Sequence, residues 1–581
     1  MPVHNSEIAA IFDHVADLLE IEAANRFRVR AYRNAAATIR DQGRSVAAML
    51  EAGENLADLP DIGADLAGKI ATIVRTGHLP LLDDLAQDIP EAMVDATRIP
   101  GIGPKRARAL FRALDLRSVD DLKAAAEAGK VAAIEGFGDK IQAKIRAALA
   151  GGAITERRIR IDVAEEFAGP LIDWVRQLDG VTRAEIAGSY RRRKETVGDL
   201  DILVAGEDGG AIIDRFTGYD GIATVAAQGR TRATVVLRSG LQVDLRVIPE
   251  ASWGAALHYF TGAKAHNVAG RRRAQERGLK LNEYGLFDGK TRIAGATEEE
   301  VYAGIGLPWI DPVLREDRGE IAAAERGDLP YLVTLDDIRG DLHAHTRASD
   351  GRNTLAEMAE AAKARGYDYL AITDHSKGQG QAGGLSEDDL AAQIDEIAAL
   401  NETLDGIRLL ASCEVDILKD GSLDFPDGLL ARLDLVVASV HSHLDLDETA
   451  QTDRIIRAMD NPLVGVIGHP TGRLIGRRQP CRLDFERLVS AAKDRGCALE
   501  LNANPHRLDL NDMHCRMAAE AGVPISVATD AHSIAGLGNM RHGIDQARRG
   551  WLEPADVLNT RGWRDLARML KRGRDGGIAQ G

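Results

Sequence analysis

The sequence predicts a multidomain protein with an all-α amino-terminal part, an α+β middle part and an α/β carboxyl-terminal part whose parallel strands close into a barrel. At 581 residues the chain is too long for one hydrophobic core, so three or four domains are expected. Residues 1–150 repeat Ala and Leu at three- and four-residue spacing with short Gly or Pro breaks, the pattern of helix after helix. From residue 336 short apolar runs alternate with helical stretches, as in a parallel sheet covered by helices. Between these parts lie strands in which apolar and charged residues alternate.

Composition sets the outer limits. A hydrophobic content of 45% with 28% charged residues is that of a soluble globular protein. Met1-Pro2-Val3-His4-Asn5-Ser6-Glu7 has no basic n-region or apolar h-region, and no run approaches the roughly 18 apolar residues of a membrane span. A cytoplasmic protein with no membrane partner is expected. Cys413, Cys481, Cys497 and Cys515 form no Cys-x-x-Cys, which argues against a zinc knuckle and a disulfide frame. The net charge of −16 disfavours nucleic acid only if charge acts globally, and it acts locally. Residues 98–146 carry 11 Lys and Arg against 6 Asp and Glu, a net of +5.

That basic stretch contains two breaks of one form, Ile99-Pro100-Gly101-Ile102-Gly103-Pro104-Lys105 and Ile134-Glu135-Gly136-Phe137-Gly138-Asp139-Lys140. Each sets an apolar residue between two glycines just before an amphipathic helix, so backbone N–H groups and a helix N-terminus can face a phosphate. They look like helix-hairpin-helix motifs, which grip DNA backbone without reading sequence. Gly101, Gly103, Lys105, Gly136, Gly138 and Lys140 are the candidate DNA contacts. Leu59-Pro60-Asp61-Ile62-Gly63-Ala64 is a degenerate third copy, in which Asp61 replaces the first glycine and is expected to disturb the hairpin.

The middle part centres on Gly188-Ser189-Tyr190-Arg191-Arg192-Arg193-Lys194, followed by Asp199-Leu200-Asp201-Ile202-Leu203-Val204. Strand alternation puts Asp199 and Asp201 on one face and turns Leu200, Ile202 and Val204 into a core. In Leu241-Gln242-Val243-Asp244-Leu245-Arg246 the same alternation offers Asp244 and Arg246 from a second strand. Three adjacent carboxylates repel one another unless a divalent cation lies between them, and hard oxygen ligands suit Mg²⁺. Gly188-Ser189 lets the backbone approach a phosphate, with the basic run supplying charge. The combination points to nucleotidyl transfer.

Here the chain resembles the family X DNA polymerases of the polymerase beta type. The resemblance rests on Gly188-Ser189 with Arg192, the three aspartates, Arg246, and Tyr259-Phe260-Thr261-Gly262 with Asn267 and Arg271. It implies that Asp199, Asp201 and Asp244 hold two metal ions, Mg²⁺ or Mn²⁺, and that Gly188, Ser189 and Arg192 hold the triphosphate of a dNTP. It further implies that Tyr259, Phe260 and Gly262 border the sugar, Asn267 touches the base, and Arg246 and Arg271 contact DNA. The partner is gapped or primer–template DNA. An amino-terminal lysine of such enzymes can form a Schiff base with an abasic sugar, and Lys69 matches it. Asp65 stands where the family often has a second lysine.

In the carboxyl-terminal part, His343, His345, Asp350, Asp374-His375, Glu414, His441-Ser442-His443, His469 and Asp530-Ala531-His532 fall at the carboxyl ends of successive strands, where barrel active sites lie. Imidazole with carboxylate is a ligand set for Zn²⁺ or Mn²⁺. This part resembles the PHP (polymerase and histidinol phosphatase) domain. The resemblance implies up to three ions: one held by His343, His345, Glu414 and Asp530, a second by Glu414, His441 and His469, a third by Asp350, His375 and His532. Such sites hydrolyse phosphoesters.

The expected division is a lyase-like helical domain at 1–85, a helix-hairpin-helix domain at 86–150, a nucleotidyltransferase palm at 151–250, a nascent-base-pair-binding domain at 251–315, a linker at 316–335 and a PHP domain at 336–575. The expected function is monomeric, gap-filling DNA synthesis in base excision repair, with 3′→5′ exonuclease and AP endonuclease activities in the PHP domain. The competing reading is a DNA-end-binding protein with an inactive palm and a PHP phosphatase for small phosphate esters.

Overall fold

In a computed structural model of the chain, the residues described are 3, 5–40, 45–87, 89–97, 99, 102–150 and 158–574. Contacts divide the chain into two compact units, Met1–Asp179 with Gly198–Leu200 and Gly210–Leu245, and Gly180–Val197 with Asp201–Gly209 and Arg246–Gly581. The stretch expected as one palm domain is therefore shared between them.

In the first unit, nine α-helices among the described residues run from Asn5–Ile21 to Gly138–Ala150. Local chemistry fixes their ends. Pro104, whose missing N–H costs nothing in a first turn, opens Pro104–Leu114, and Ser118 with Asp121 forms a reciprocal capping box on Val119–Glu127. Phe12, Ile70, Leu110, Leu122 and Ile145 belong to one apolar cluster. The two stretches expected as separate helical domains thus share a core.

The middle of the chain supplies five strands, β1 (Val181–Ile186), β2 (Asp199–Gly206), β3 (Ile222–Gln228), β4 (Arg232–Leu237) and β5 (Gln242–Ile248), of which β1 pairs antiparallel with β2 and β3 antiparallel with β4. In β2, Asp199 and Asp201 are half-buried while Leu200 and Ile202 are buried, the expected alternation.

In the second unit the helices Trp253–Thr261 and Lys264–Glu276 precede a three-stranded antiparallel sheet of β6 (Lys280–Asn282), β7 (Gly285–Asp288) and β8 (Thr291–Ala294). The expected linker at 316–335 is packed on its neighbours. It carries helix Glu320–Arg326, places Ala324 in the same core as Tyr302 and Leu286, and buries Glu320 against His266 at 2.6 Å.

Seven parallel strands follow in sequential order: β9 (Gly340–Ala344), β10 (Tyr369–Ile372), β11 (Arg408–Asp416), β12 (Leu435–Ser439), β13 (Val464–Gly468), β14 (Ala498–Asn502) and β15 (Ile525–Ala528). An Ala344–Ala531 bridge joins the last strand end to the first, so the barrel is nearly closed. Burial on both faces explains why these runs read as continuously apolar. Each fully buried aliphatic side chain, such as Val436 or Leu501, contributes about 1.5–3 kcal/mol. Cys413, Cys497 and Cys515 are buried free thiols, and no described helix is long and apolar enough to cross a membrane.

Candidate active sites

The barrel site is built around Glu414, fully buried near the end of β11. Its Oε1 lies 2.9 Å from His469 Nε2 and 3.2 Å from His441 Nε2, and its Oε2 lies 2.9 Å from His375 Nδ1 and 3.5 Å from His343 Nε2. One carboxylate thus faces two sets of imidazoles. His345 Nε2 approaches Asp530 at 3.1 Å, and Asp350 lies 3.5 Å from His375 and 3.3 Å from His532. Ligand-capable atoms of His345, Asp350, His375 and His532 fall within 4.8 Å of one another, as do those of His343, His345 and Asp530, and of His375, Glu414 and His441.

These groups are short of hydrogen bonds. Both Glu414 oxygens, His343 Nε2, His345 Nδ1 and His375 Nδ1 are buried and make none. Leaving such atoms unpaired is costly unless another ligand takes them, so the donor set fits divalent metal ions. Neighbouring charges shift these imidazoles in both directions. Burial opposes charge on His375, yet Glu414 and Asp350 raise it to about 10. His441 rises to about 9 against burial through Glu414 and Asp416, and His532 to about 9 through Asp350. Burial, with Arg507 adding to it, pushes His469 down to about 3. Asp374 lies outside the ligand set, because its carboxylate accepts from Thr346, Ser349 and Gln393, and His443 is exposed.

In the middle part, Gly188 is required twice over. Its φ is +61°, and a Cβ there would run into the Asp201 carboxylate. The buried Asp244 carboxylate accepts from Thr234 Oγ1 at 2.5 Å, Gln242 Nε2 at 2.8 Å and Arg232 Nη2 at 2.9 Å. Burial would raise its pKa, but these donors hold it below the ordinary value. Arg192 is taken by Glu316 at 2.9 Å and by the Thr261 carbonyl at 2.7 Å. Asn267 donates to the Tyr259 carbonyl at 2.6 Å and is buried, so it braces the Tyr259–Gly262 turn. Tyr259 and Phe260 are half-buried and meet edge to face, and Arg246 lies over the Phe260 ring at 4.8 Å. Arg271 donates to the Asn267 carbonyl.

Among the hairpins, Gly101 lies outside the described residues. Gly136 and Gly138 have φ of +84° and +56°, Ile102 and Phe137 are buried, and Lys105 and Lys140 are exposed beside them. The third copy corrects the expectation of a disturbed turn. Asp61 takes the left-handed conformation at φ +59°, Ile62 is 2% exposed, and Gly63 caps helix Ala64–Thr76. Asp is among the few residues that tolerate this conformation. Lys69, on that helix, pairs with Asp65 and lies 5.7 Å from the Tyr32 ring.

Along its whole length the chain is similar to the DNA polymerase/3′-5′ exonuclease PolX of Bacillus subtilis (strain 168), 37% identical over 574 residues that cover 98% of this chain and 100% of that protein. The chain belongs to the family X DNA polymerases. Within this family X polymerase, the family models of the DNA polymerase beta palm and thumb match residues 158–240 and 256–316. A helix-hairpin-helix domain matches 3–79, a SAM-like helix-hairpin-helix tandem 93–150 and a PHP domain 341–504. The last part alone is similar to a probable phosphatase of Thermoanaerobacter sp. (strain X514), 30% identical over 231 residues, 38% of this chain and 89% of that protein. It is also similar to a probable phosphatase of Syntrophotalea carbinolica, 28% identical over 230 residues, 38% of this chain and 90% of that protein. The family X polymerase is thus a DNA-binding enzyme in which both catalytic domains are of metal-dependent kinds.

Sequence reasoning missed the residues behind the ligands. Glu500, from β14, holds His343 Nδ1 at 2.7 Å, and Asp416 holds His441 Nδ1 at 2.7 Å. Such carboxylates fix imidazole orientation and raise basicity. The available signal was an acid inside an apolar run, as in Ala498-Leu499-Glu500-Leu501.

Proposed function

We propose that the chain fills short gaps in DNA during base excision repair and removes 3′ nucleotides with its PHP domain. The observation that carries this reading is the pairing, in one chain, of the Asp199/Asp201 strand next to Gly188 with a buried imidazole pocket around Glu414. Asp199, Asp201 and Asp244 would hold Mg²⁺ or Mn²⁺, and the nine PHP residues from His343 to His532 would hold Mn²⁺ or Zn²⁺, up to three ions. When bound, such ions supply Lewis-acid polarisation of the reacting phosphate. The chain's own part is positional. Gly188 leaves room for the Asp201 carboxylate, the exposed lysines of the hairpins hold DNA backbone, and Glu500 and Asp416 keep His343 and His441 in one tautomer with the other nitrogen facing the pocket.

A one-nucleotide-gapped duplex, incubated with and without dNTPs in Mg²⁺ and in Mn²⁺, tests the reading by following both primer ends. Extension with dNTPs and shortening without them is the expected outcome; neither would leave only a DNA-end-binding phosphatase. The same duplex carrying an internal abasic site tests AP endonuclease cleavage. Lyase chemistry is assigned to Lys69, whose amine must leave Asp65 to attack a sugar aldehyde. Borohydride should trap the parent on a 5′-deoxyribose phosphate and fail with Lys69→Ala. Dissolved protein is expected to be a cytoplasmic monomer.

A further inference from the structure

The turn after the short helix Gly188–Arg191 is held at three points by the barrel. Arg549, the last residue of helix Met540–Arg549, donates from Nη1 to the Arg192 carbonyl at 2.7 Å. One turn earlier, Asp545 accepts from Arg193 Nε at 2.7 Å. Arg473, in the loop after β13, pairs with Glu195 at 2.6 Å. Residues four apart on a helix share a face, so Asp545 and Arg549 are presented together. The signs are complementary and register-specific, since Arg193 meets an acid while Glu195, two residues on, meets a base.

The held backbone is an unusual one. Arg193 has φ +55°, a conformation that costs a non-glycine residue energy and persists where its surroundings enforce it. The Arg549 guanidinium also reaches the Arg192 side chain through Glu316, whose Oε1 accepts from Arg192 at 2.9 Å and from Arg549 at 3.2 Å. Arg549 then donates to Asp512 at 2.7 Å. Its side chain is 2% exposed and that of Glu316 is 11%, so this is not a solvent-screened surface pair.

We propose that Arg549 and Asp545 are positioning residues for nucleotide addition: the barrel helix sets the phosphate loop of the palm, independently of any metal in the barrel. The proposal rests on reading Gly188, Ser189 and Arg192 as the triphosphate contacts. A displacement of about 1 Å at such a contact can cost up to about a hundredfold in rate.

The test uses full-length protein, single-nucleotide gap filling over a dNTP titration, and 3′-end degradation as the measure of an intact barrel. Asp545→Arg should raise the dNTP KM about tenfold, change kcat far less, and leave degradation at the parent rate. Arg193→Asp should do the same, and the Arg193→Asp/Asp545→Arg swap should return KM to within about threefold of the parent. Arg549→Ala should act in the same direction, and if it does not fold the swap decides. A parent-like KM in Asp545→Arg, or a swap that restores nothing, overturns the proposal when Ser189→Ala does raise KM. If Ser189→Ala leaves KM unchanged too, the phosphate-loop reading falls and the proposal falls with it.

Discussion

The barrel site and the palm leave their polar groups in opposite states. Around Glu414 both of its oxygens and one nitrogen each of His343, His345 and His375 lack hydrogen bonds, whereas in the palm Asp244 has three donors and Arg192 two acceptors. A pocket of the first kind is organised for ions before they arrive. One of the second kind is organised around its own side chains, and a ligand must exchange for those partners. Metal binding should therefore cost the barrel little rearrangement, while nucleotide binding should be sensitive to whatever holds the palm's turns.

The largest expected effect separates the two regions by chemistry. Loss of a metal ligand removes about 4 kcal/mol of transition-state stabilisation, roughly a thousandfold in rate. Asp201→Ala should cut nucleotide addition by that factor and spare 3′-end degradation, and His345→Ala or Glu414→Ala should do the reverse. If Asp201→Ala abolished degradation with its DNA binding intact, the nuclease would be a reaction of the palm. Next comes Gly188→Ala, whose Cβ would push on the Asp201 carboxylate. It should lower kcat/KM for nucleotide addition about a hundredfold with unchanged metal content in the barrel; a parent-like value would mean the palm relaxes more freely than its packing implies.

A smaller effect sharpens the difference in readiness for ions. His375, raised to about 10, and His441 and His532, raised to about 9, are protonated at neutral pH before metal binds, and ligation needs them neutral. Ions and protons therefore compete, so affinity should rise with pH between 6 and 8, by about tenfold per unit for each proton displaced. Calorimetry in buffers of different ionisation enthalpy counts those protons, and release of none would contradict the pocket described here. The smallest effect is on DNA: Lys105→Ala should reduce the salt slope of binding to gapped duplex by about one unit, and identical salt titrations would remove that hairpin from the DNA surface.

The cluster around Glu414 was legible because His and Asp at the ends of apolar runs have few other reasons to recur. Two strands of the same barrel were not. Gly340-Asp341-Leu342-His343-Ala344 carries its own functional polar residues, which break the apolar run that would have announced β9, and Glu414 interrupts β11 in the same way. Glu500 could not be paired with His343 because 157 residues separate them, and only the barrel's closure makes them neighbours. In the palm, the alternation around Asp199 and Asp201 was plain, but the partners that occupy Arg192 were invisible. Glu316 sat in what read as a charged connector, and Arg549 lies 357 residues from Arg192 along the chain.

The packed connector bears on how a DNA end could pass from one chemistry to the other. A flexible segment of its length would span roughly 25 Å and would let the barrel roam about the thumb at the effective concentration of a tether. Here Val333 donates to the Leu552 carbonyl at 2.9 Å, Arg548 pairs with Asp311 at 2.7 Å, and Leu329 and Leu332 pack on the thumb core. Thumb and barrel are joined by a splint, so the barrel does not roam on a tether. A polymerase fragment ended at Arg315 would strip Ile321, Ala324, Leu329 and Leu332 from that core and bare an apolar face to water, whereas one carried on through Val333 would keep those four side chains on it.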